Sequence, residues 1–343
     1  MTKAHLSADC LDMIFKNLET DRNSLYSSIL VNKSWCQSAI QILWNDPFQL
    51  VKYNNDNIVT LSYSNKYLIR TLLFCIDVNS ISQEDYQLIN LSSNLSNLSY
   101  SCLFNYPSFL RYLNANNLTS AIWNFTETFD THVKLRMNIE RLIYGLIART
   151  NGLKLLCISS PEQYKIFMEY SNNNINNHNN ALIGLRELRC RGYTFNLEFI
   201  NFLTSSNISL NNLQCIEIRD YERRDRELRE ELIDGLCKLI KFQKCLKIFR
   251  IEECKFGLDK IINTLEGYQF RNLINVTFTL CHFDNCNSLK GLSECEVLNN
   301  IHFENCGGLR IQLIETLDKN IFKATYSQIT TTTNCFFEHT LVC

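Results

Sequence analysis

Leu246-Lys-Ile-Phe-Arg-Ile-Glu-Glu-Cys254 decides the fold of this chain of 343 residues. Apolar residues stand at its first, fourth and sixth positions, and a cysteine follows the first leucine by eight positions. Alternation with a period of two predicts a short strand that buries one face. Because the same order recurs along the chain, the stretch predicts a repeat and not an isolated strand.

Five successive segments share the order Leu-x-x-apolar-x-apolar: 185–190, 213–218, 246–251, 273–278 and 298–303. Their first leucines are separated by 28, 33, 27 and 25 residues. Three segments have the cysteine at the eighth following position: Cys254, Cys281 and Cys306. Residues 153–158 have the pattern of an earlier repeat, and 69–74 and 95–100 that of degenerate repeats.

These segments resemble the cysteine-containing leucine-rich repeat, in which the turn after each strand places a small side chain in the core. The resemblance implies an α/β solenoid, because a single unit cannot bury its apolar face alone. We expect parallel strands on the concave face and helices on the convex face. Helical spacing predicts helices at 139–148, 228–242 and 258–265, and the charged run 219–231 is predicted to be the solvated face of the second helix.

The first forty-odd residues have the pattern of three short amphipathic helices, too few to bury all their apolar side chains. Ser7, Asp21 and either Asn32 or Ser34 are suited to cap the three helices, and Pro47 follows the third. The apolar residues at helical spacing are Leu11, Ile14, Phe15 and Leu18, then Leu25, Ile29 and Leu30, then Ile40, Leu43 and Trp44. The surplus of apolar side chains predicts a docking surface.

This order of apolar residues resembles the F-box motif, with Ser7 where the motif usually has proline. The resemblance implies helix-in-groove binding to a Skp-family adaptor, which connects an F-box to a cullin–RING scaffold. The positions that the resemblance assigns to adaptor binding are Leu6, Leu11, Ile14, Phe15, Leu18, Leu25, Val31 and Trp35. The sequence leaves open which of them face the adaptor and which hold the helices together, and we expect Trp35 and Trp44 in the core.

The two resemblances divide the chain into four parts. They are an F-box domain at 1–48, degenerate repeats and connecting helices at 49–152, a leucine-rich-repeat solenoid at 153–323, and a cap or tail at 324–343. Residues 172–180 are mostly asparagine and predict a disordered loop inserted in the solenoid.

Charge and composition favour an intracellular globular protein. The chain has 34 lysines and arginines against 35 aspartates and glutamates, which gives no electrostatic reason to expect nucleic acid or an anionic membrane as a partner. With no secretory leader and no run of about 20 apolar residues, we expect a cytoplasmic or nuclear location. The 16 cysteines should then stay reduced, mostly as small buried side chains.

No motif in the sequence predicts catalysis, and we expect no cofactor and no metal. The sequence has no phosphate-binding glycine loop, no His-Glu-x-x-His helix and no Gly-x-Ser-x-Gly elbow. Cys281-His282 with Cys286 and Cys295 is the best candidate zinc set, but adjacent side chains point apart and paired Cys-x-x-Cys motifs are absent. A cysteine nucleophile is disfavoured because the cysteines stand in apolar runs such as 155–158.

The leading hypothesis is a non-catalytic substrate-receptor subunit of a Skp–cullin–F-box ubiquitin ligase. The exposed strand positions predicted to bind the target protein are Glu187, Arg189, Glu217, Arg219, Lys247, Arg250, Glu252, Asn275, Thr277, Asn300, His302 and Glu304. Their mixed charge suits a protein or peptide, and no concentrated arginine pocket predicts a phosphate. Two alternatives stay open: a repeat scaffold or regulator that binds proteins without directing ubiquitination, and N-terminal helices that merely cap the solenoid.

Overall fold

The computed structural model describes residues 6–51, 58–77, 82–84, 87, 102–127, 132–173, 181–191, 196–205, 210–219, 226–265 and 271–317. They form α-helices and parallel β-strands, so the predicted α/β class is confirmed. The chain divides into two compact units: Met1–Leu153 with Asn179–Ala181, and Lys154–His178 with Leu182–Cys343. Among the described residues, none of the helices combines the length and apolar character needed to cross a bilayer.

The first unit is mainly helical. Its described α-helices are α1 (Ala8–Asn17), α2 (Arg22–Ile29), α3 (Lys33–Leu43), α4 (Ile58–Phe74), α5 (Ala115–Thr126) and α6 (His132–Ala148). It also has a short strand, β1 (Tyr112–Asn114), and 3-10 turns at Pro47–Val51 and Tyr106–Phe109.

The first three helices begin at the predicted caps. Side-chain oxygens of Ser7, Asp21 and Asn32 accept hydrogen bonds from the backbone N–H three residues further on, at 3.3, 3.1 and 3.0 Å. Each bond satisfies an amide that has no partner within the helix. The third cap is therefore Asn32 and not Ser34.

One predicted degenerate repeat is wrong. Residues 69–74 form the end of α4 instead of a strand. Ile69, Leu72 and Leu73 are buried at i, i+3 and i+4, which is the spacing of one helix face. The Leu-x-x-apolar-x-apolar order fits helical and strand periodicity alike over so short a segment. The other degenerate repeat, 95–100, lies outside the described residues.

The second unit alternates strands and helices. Its described strands are β2 (Leu155–Ile158), β3 (Glu187–Arg191), β4 (Cys215–Arg219), β5 (Ile248–Glu252), β6 (Asn275–Thr279) and β7 (Asn300–Glu304). Its described helices are α7 (Pro161–Asn173), α8 (Leu197–Leu203), α9 (Arg226–Phe242), α10 (Leu258–Thr264), α11 (Lys290–Ser293) and α12 (Ile311–Ile314).

Each strand from β2 to β6 pairs in parallel with the next strand along the chain. The strands lie at the six predicted segments from 153–158 to 298–303, so these strand predictions are confirmed. Successive helices from α7 to α11 also contact one another. Parallel strands and helices that follow chain order are compatible with a solenoid.

The register brings the predicted apolar positions into continuous buried rows. One row passes from Leu188 through the middle strands to Ile301, and the next ends at Phe278 and Phe303. The rings of Phe278 and Phe303 stack with centroids 5.5 Å apart. The rows form the core behind the sheet, and the strand positions between them lie on its exposed face.

The turn after β5, β6 and β7 explains the cysteine at the eighth position. Glu253, Leu280 and Asn305 each have a positive φ, of 61°, 55° and 52°, and each directly precedes a buried cysteine. The thiols of Cys281 and Cys306 donate to backbone carbonyls of the preceding repeat, at 3.5 and 3.4 Å. The prediction that these cysteines enter the core is confirmed.

Two of the three predicted helices lie within α6 and α9, and the third, 258–265, corresponds to α10. In α9 the side chains of Leu232 and Leu236 are buried and those of Glu230 and Glu231 are exposed, as expected for a solvated charged face. Arg219 is an exception in the charged run, since it is the last residue of β4. Of the asparagine-rich segment, residues 172–173 end α7, while 174–180 and the tail 324–343 lie outside the described residues.

Candidate functional site

The three N-terminal helices divide the predicted adaptor-binding residues into a buried and an exposed set. Leu11, Phe15 and Leu25 are almost completely buried. The ring of Phe15 meets that of Trp35 edge-on, with centroids 5.4 Å apart. Leu11, Phe15 and Leu25 therefore hold the helices together in this fold, and a part for them in adaptor binding stays a prediction. Trp44 is buried, as expected, and Trp35 is half-buried.

The exposed set consists of apolar side chains in and beside the same helices. Leu6, Ile14 and Val31 have 52%, 44% and 55% of their surface exposed, and Leu30 has 86%. Leu18 is partly buried. We call Leu6, Ile14, Leu30 and Val31 the N-terminal apolar surface. The sequence had assigned Leu30 only to the apolar stripe of the second helix, because helical spacing does not distinguish the end of a buried stripe from an exposed position.

A cavity of about 250 Å³ opens beside α2, α3 and α4 in the first unit. Its lining residues are Arg22, Tyr26, Ile40, Leu43, Trp44, Pro47, Tyr67 and Leu68. The Arg22 guanidinium donates to the Asp46 carbonyl oxygen at 3.1 Å and to Gln49 Oε1 at 3.2 Å. Burial raises the pKa of the Asp46 carboxyl to about 6, although the positive charge of Arg22 acts in the opposite direction.

The second candidate surface is the exposed face of the sheet from β3 to β7. All but one of the predicted target-binding residues are outward positions of these strands: Glu187, Arg189, Glu217, Arg219, Arg250, Glu252, Asn275, Thr277, Asn300, His302 and Glu304. Lys247 is the exception, because it precedes β5 and the outward residue there is Ile248.

The register also places four residues on this face that the sequence analysis did not assign to it: Arg191, Cys215, Ile248 and Thr279. The period of two along each strand would have identified Arg191 and Thr279. The same period places Cys215 and Ile248 at outward positions, but their apolar side chains favour the core, so the sequence gives conflicting signals there.

Arginines from the two neighbouring strands, β3 and β5, surround one carboxylate of β4 on this face. Arg189 and Arg250 each approach Glu217 Oε2 to 3.6 Å, and Arg191 approaches its other oxygen to 3.5 Å. The adjacent Arg219 pairs with Glu252 and Glu253, at 3.5 and 2.7 Å.

This cluster consists of Arg189, Arg191, Arg219 and Arg250 with their glutamates. Sequence spacing alone did not show that these four arginines lie side by side. Their charges are matched by carboxylates, which favours a protein surface over a free anion as the ligand.

The other half of the face, on β6 and β7, is mainly neutral and polar. Asn300 Nδ2 donates to Asn275 Oδ1 at 2.7 Å, and Thr279 Oγ1 donates to Glu304 Oε2 at 3.4 Å. The face therefore has an ion-paired half on β3 to β5 and an amide and hydroxyl half on β6 and β7. Both halves offer hydrogen bonds to a partner without a large apolar patch.

The candidate zinc set is not assembled as a site. The Cys281 thiol is buried and donates to backbone carbonyls, while His282 is exposed and its Nδ1 lies 3.5 Å from Asp284 Oδ2. The Cys286 thiol donates to the Ser288 carbonyl, and the Cys295 thiol donates to the Leu265 carbonyl. Within the part of the chain that is described, no group of three His, Cys, Asp or Glu side chains could hold a metal ion.

Burial raises the pKa of thiols in the sheet, and a raised pKa disfavours nucleophilic chemistry because less thiolate is present. It raises the pKa of Cys215 to about 11 and that of Cys190 further. Cys306 is different, because a hydrogen bond from the Cys281 thiol lowers its pKa, but the Cys306 side chain is itself buried. Reaction of a thiolate needs both a lowered pKa and access for the substrate.

Comparison with known proteins adds no family to these observations. No protein-family model matches the sequence, and no curated protein matches it. The function of this chain must therefore be inferred from its two surfaces.

Proposed function

We propose that this chain is the substrate-receptor subunit of a Skp–cullin–F-box ubiquitin ligase. In this proposal the three N-terminal helices are an F-box that binds a Skp-family adaptor, and the strands and helices of the second unit are leucine-rich repeats that bind the target. The observation that carries the proposal is the N-terminal apolar surface, since three of its members stand at positions that resemble the F-box motif. The proposal implies a cytoplasmic or nuclear location.

The physical support is that some apolar side chains of the three helices form their core while others are exposed. Leu11, Phe15 and Leu25 fill the small core, so the helices do not need Ile14 and Val31 for their own packing. Single exposed apolar side chains are common on any protein surface, but several of them together in one small unit are typical of an interface. Burial of Ile14 and Val31 against an adaptor would contribute roughly 2 kcal/mol each.

The target would bind the exposed face of the sheet, where the ion-paired and the amide half offer different chemistry. Such a receptor performs no bond chemistry itself. It raises the local concentration of target lysines near the charged ubiquitin carrier, because both are held on one scaffold. A series of strands fixed by parallel pairing would keep that distance constant.

Adaptor binding can be tested by co-expressing the full chain with a Skp-family adaptor and measuring complex formation by size exclusion. The informative variant is Ile14→Asp with Val31→Asp, because both side chains are exposed and their change leaves the core intact. We expect a one-to-one complex with the wild type and at least a hundredfold weaker affinity for the double variant.

The matched control is Leu103→Asp, which changes another exposed apolar residue of the same unit, 80% exposed. It should bind the adaptor like the wild type. Phe15→Asp is unsuitable because Phe15 is buried and the change would unfold the helices. A wild-type chain that is folded yet forms no complex would refute the F-box assignment.

The second half of the proposal concerns ubiquitin transfer. Once a protein that binds the sheet face is known, the reconstituted ligase should ubiquitinate it, and Glu217→Arg should abolish the transfer while adaptor binding persists. Binding of both adaptor and partner without ubiquitination would instead favour a repeat scaffold or regulator.

A further inference from the structure

A different surface of the first unit lies on the hairpin formed by α5 and α6. The two helices are antiparallel, and three contacts fix their register. The Tyr144 hydroxyl donates to the Ala115 carbonyl at 2.9 Å, and Thr119 Oγ1 donates to Glu140 Oε1 at 2.7 Å. One helical turn further, Trp123 of α5 meets Arg136 of α6.

The third contact differs from the other two because it lies at the surface. The guanidinium carbon of Arg136 lies 4.0 Å from the centre of the Trp123 ring, and 53% of Trp123 is nevertheless exposed. Val133 and Met137 are also exposed, and they flank Arg136 on the stripe i, i+3, i+4 of α6. We call Trp123, Val133, Arg136 and Met137 the hairpin surface.

Trp123 is unusual among the three tryptophans of the chain. Trp44 is buried and Trp35 is half-buried in the packing of the N-terminal helices. An indole exposed to water does not gain the free energy that burial of its large apolar surface would provide in a core. The cation–π contact orders the ring in advance, so a partner would not need to immobilise it.

Three basic and two acidic side chains lie around the hairpin surface among the described residues. Lys134 is exposed, Arg136 stacks on the indole, and Arg141 is exposed one turn further along α6. Of the two described carboxylates nearby, Glu140 accepts the Thr119 hydroxyl, and Glu127 lies at the end of α5. Tryptophan, arginine and methionine are also the residues enriched in binding hot spots.

We propose that the hairpin surface binds an amphipathic segment of a partner protein that carries Asp or Glu beside large apolar residues. The apolar residues of the segment would cover Trp123, Val133 and Met137, and its carboxylates would face Lys134 and Arg136. This surface is separate from the side chains assigned above to adaptor and target binding, so the inference does not depend on the proposed function.

The test uses the full chain and a displayed library of random 16-residue peptides. We expect selection to enrich peptides with several Asp or Glu residues next to Leu, Phe, Met or Trp. The affinity of an enriched peptide should fall at least tenfold in Trp123→Ala and should be unchanged in Leu103→Ala, a control at another exposed apolar position. The double change Lys134→Glu and Arg136→Glu should reverse the selection toward basic peptides.

A spectroscopic measurement keeps the test independent of any loss of stability in Trp123→Ala. When fluorinated tryptophan is incorporated into the chain, fluorine NMR gives one resonance for each of the three tryptophans. The resonance that disappears in Trp123→Phe is thereby assigned to Trp123. That resonance should shift when the acidic peptide is added, while those of Trp35 and Trp44 stay in place. Enrichment of neutral or basic peptides by the wild type, no enrichment at all, or an unshifted Trp123 resonance would each overturn the proposal.

Discussion

At the scale of single residues, Asp46 is the titratable group with the clearest consequence for stability. Its pKa is raised by burial from 3.8 to about 6, so the fold favours the protonated carboxyl. A carboxyl of this kind stabilises the fold fully below its unfolded pKa, and that contribution is lost as the pH rises through about 6.

We therefore expect Asp46→Asn to stabilise the protein at pH 7.5 by about 1 kcal/mol, a value reduced for the partial exposure of the group. The gain should disappear as the pH falls below about 4. Arg22 keeps its bonds to the backbone carbonyl and to Gln49 in the variant. Urea unfolding at both pH values measures the difference, and Asp12→Asn at an exposed position is the control. An equal gain at both pH values would contradict this account.

Leu280 has a backbone conformation that costs a leucine energy. Its φ of 55° lies in the left-handed region, where asparagine is tolerated better than other residues with a Cβ. The equivalent position of the next repeat is Asn305, with a φ of 52°. We expect Leu280→Asn to stabilise the protein by about 0.5 kcal/mol and Leu280→Val to destabilise it. Identical unfolding midpoints for the two variants would rule out backbone strain at this turn.

At the scale of elements, the start of α3 depends on one side chain. The sequence allowed Asn32 or Ser34 as the cap, and only Asn32 accepts the Trp35 N–H, at 3.0 Å. Asn32→Ala should therefore cost about 1 kcal/mol, and Ser34→Ala a few tenths at most. Thermal unfolding followed by circular dichroism compares the two. If Ser34→Ala were the more harmful change, the cap assignment would be wrong.

The strands show what the sequence can and cannot predict at this scale. Strand positions follow from a local alternation, which is why the six predicted segments coincide with β2 to β7. The outward position of Ile248 follows from its alternation with the buried Phe249 and Ile251, whereas its own apolar side chain would favour the core. Residues 69–74 fail for a different reason: a six-residue apolar pattern fits both a helix and a strand.

At the scale of the whole molecule, the N-terminal helices are part of a larger compact unit. The rings of Trp44 and Tyr106 lie 4.5 Å apart, and the Asn45 carbonyl accepts hydrogen bonds from the N–H groups of Arg111 and Tyr112, at 2.9 and 3.0 Å. The division of the chain places residues 1–153 in one compact unit, and we therefore expect that the segment 1–48 does not fold as a separate domain.

We expect deletion of residues 1–48 to remove the protection of α5 and α6 against hydrogen exchange and to leave β4 to β7 protected, because the latter belong to the second unit. Mass spectrometry of the full and shortened chains measures this. Unchanged protection of α5 and α6 would show that the helices are an independent domain. Loss of protection throughout would favour the alternative in which they cap the repeats.

The sequence by itself determined the α/β class, the positions of β2 to β7, the caps of the first two helices and the cysteines that enter the core. Each depends on contacts within a few residues or on a repeated pattern. Only the tertiary structure decided that Phe15 is buried while Ile14 is exposed, and that Arg189, Arg191 and Arg250 meet at Glu217. Those outcomes depend on how helices pack and strands align across about 30 residues of chain, and the local periodicity does not specify either.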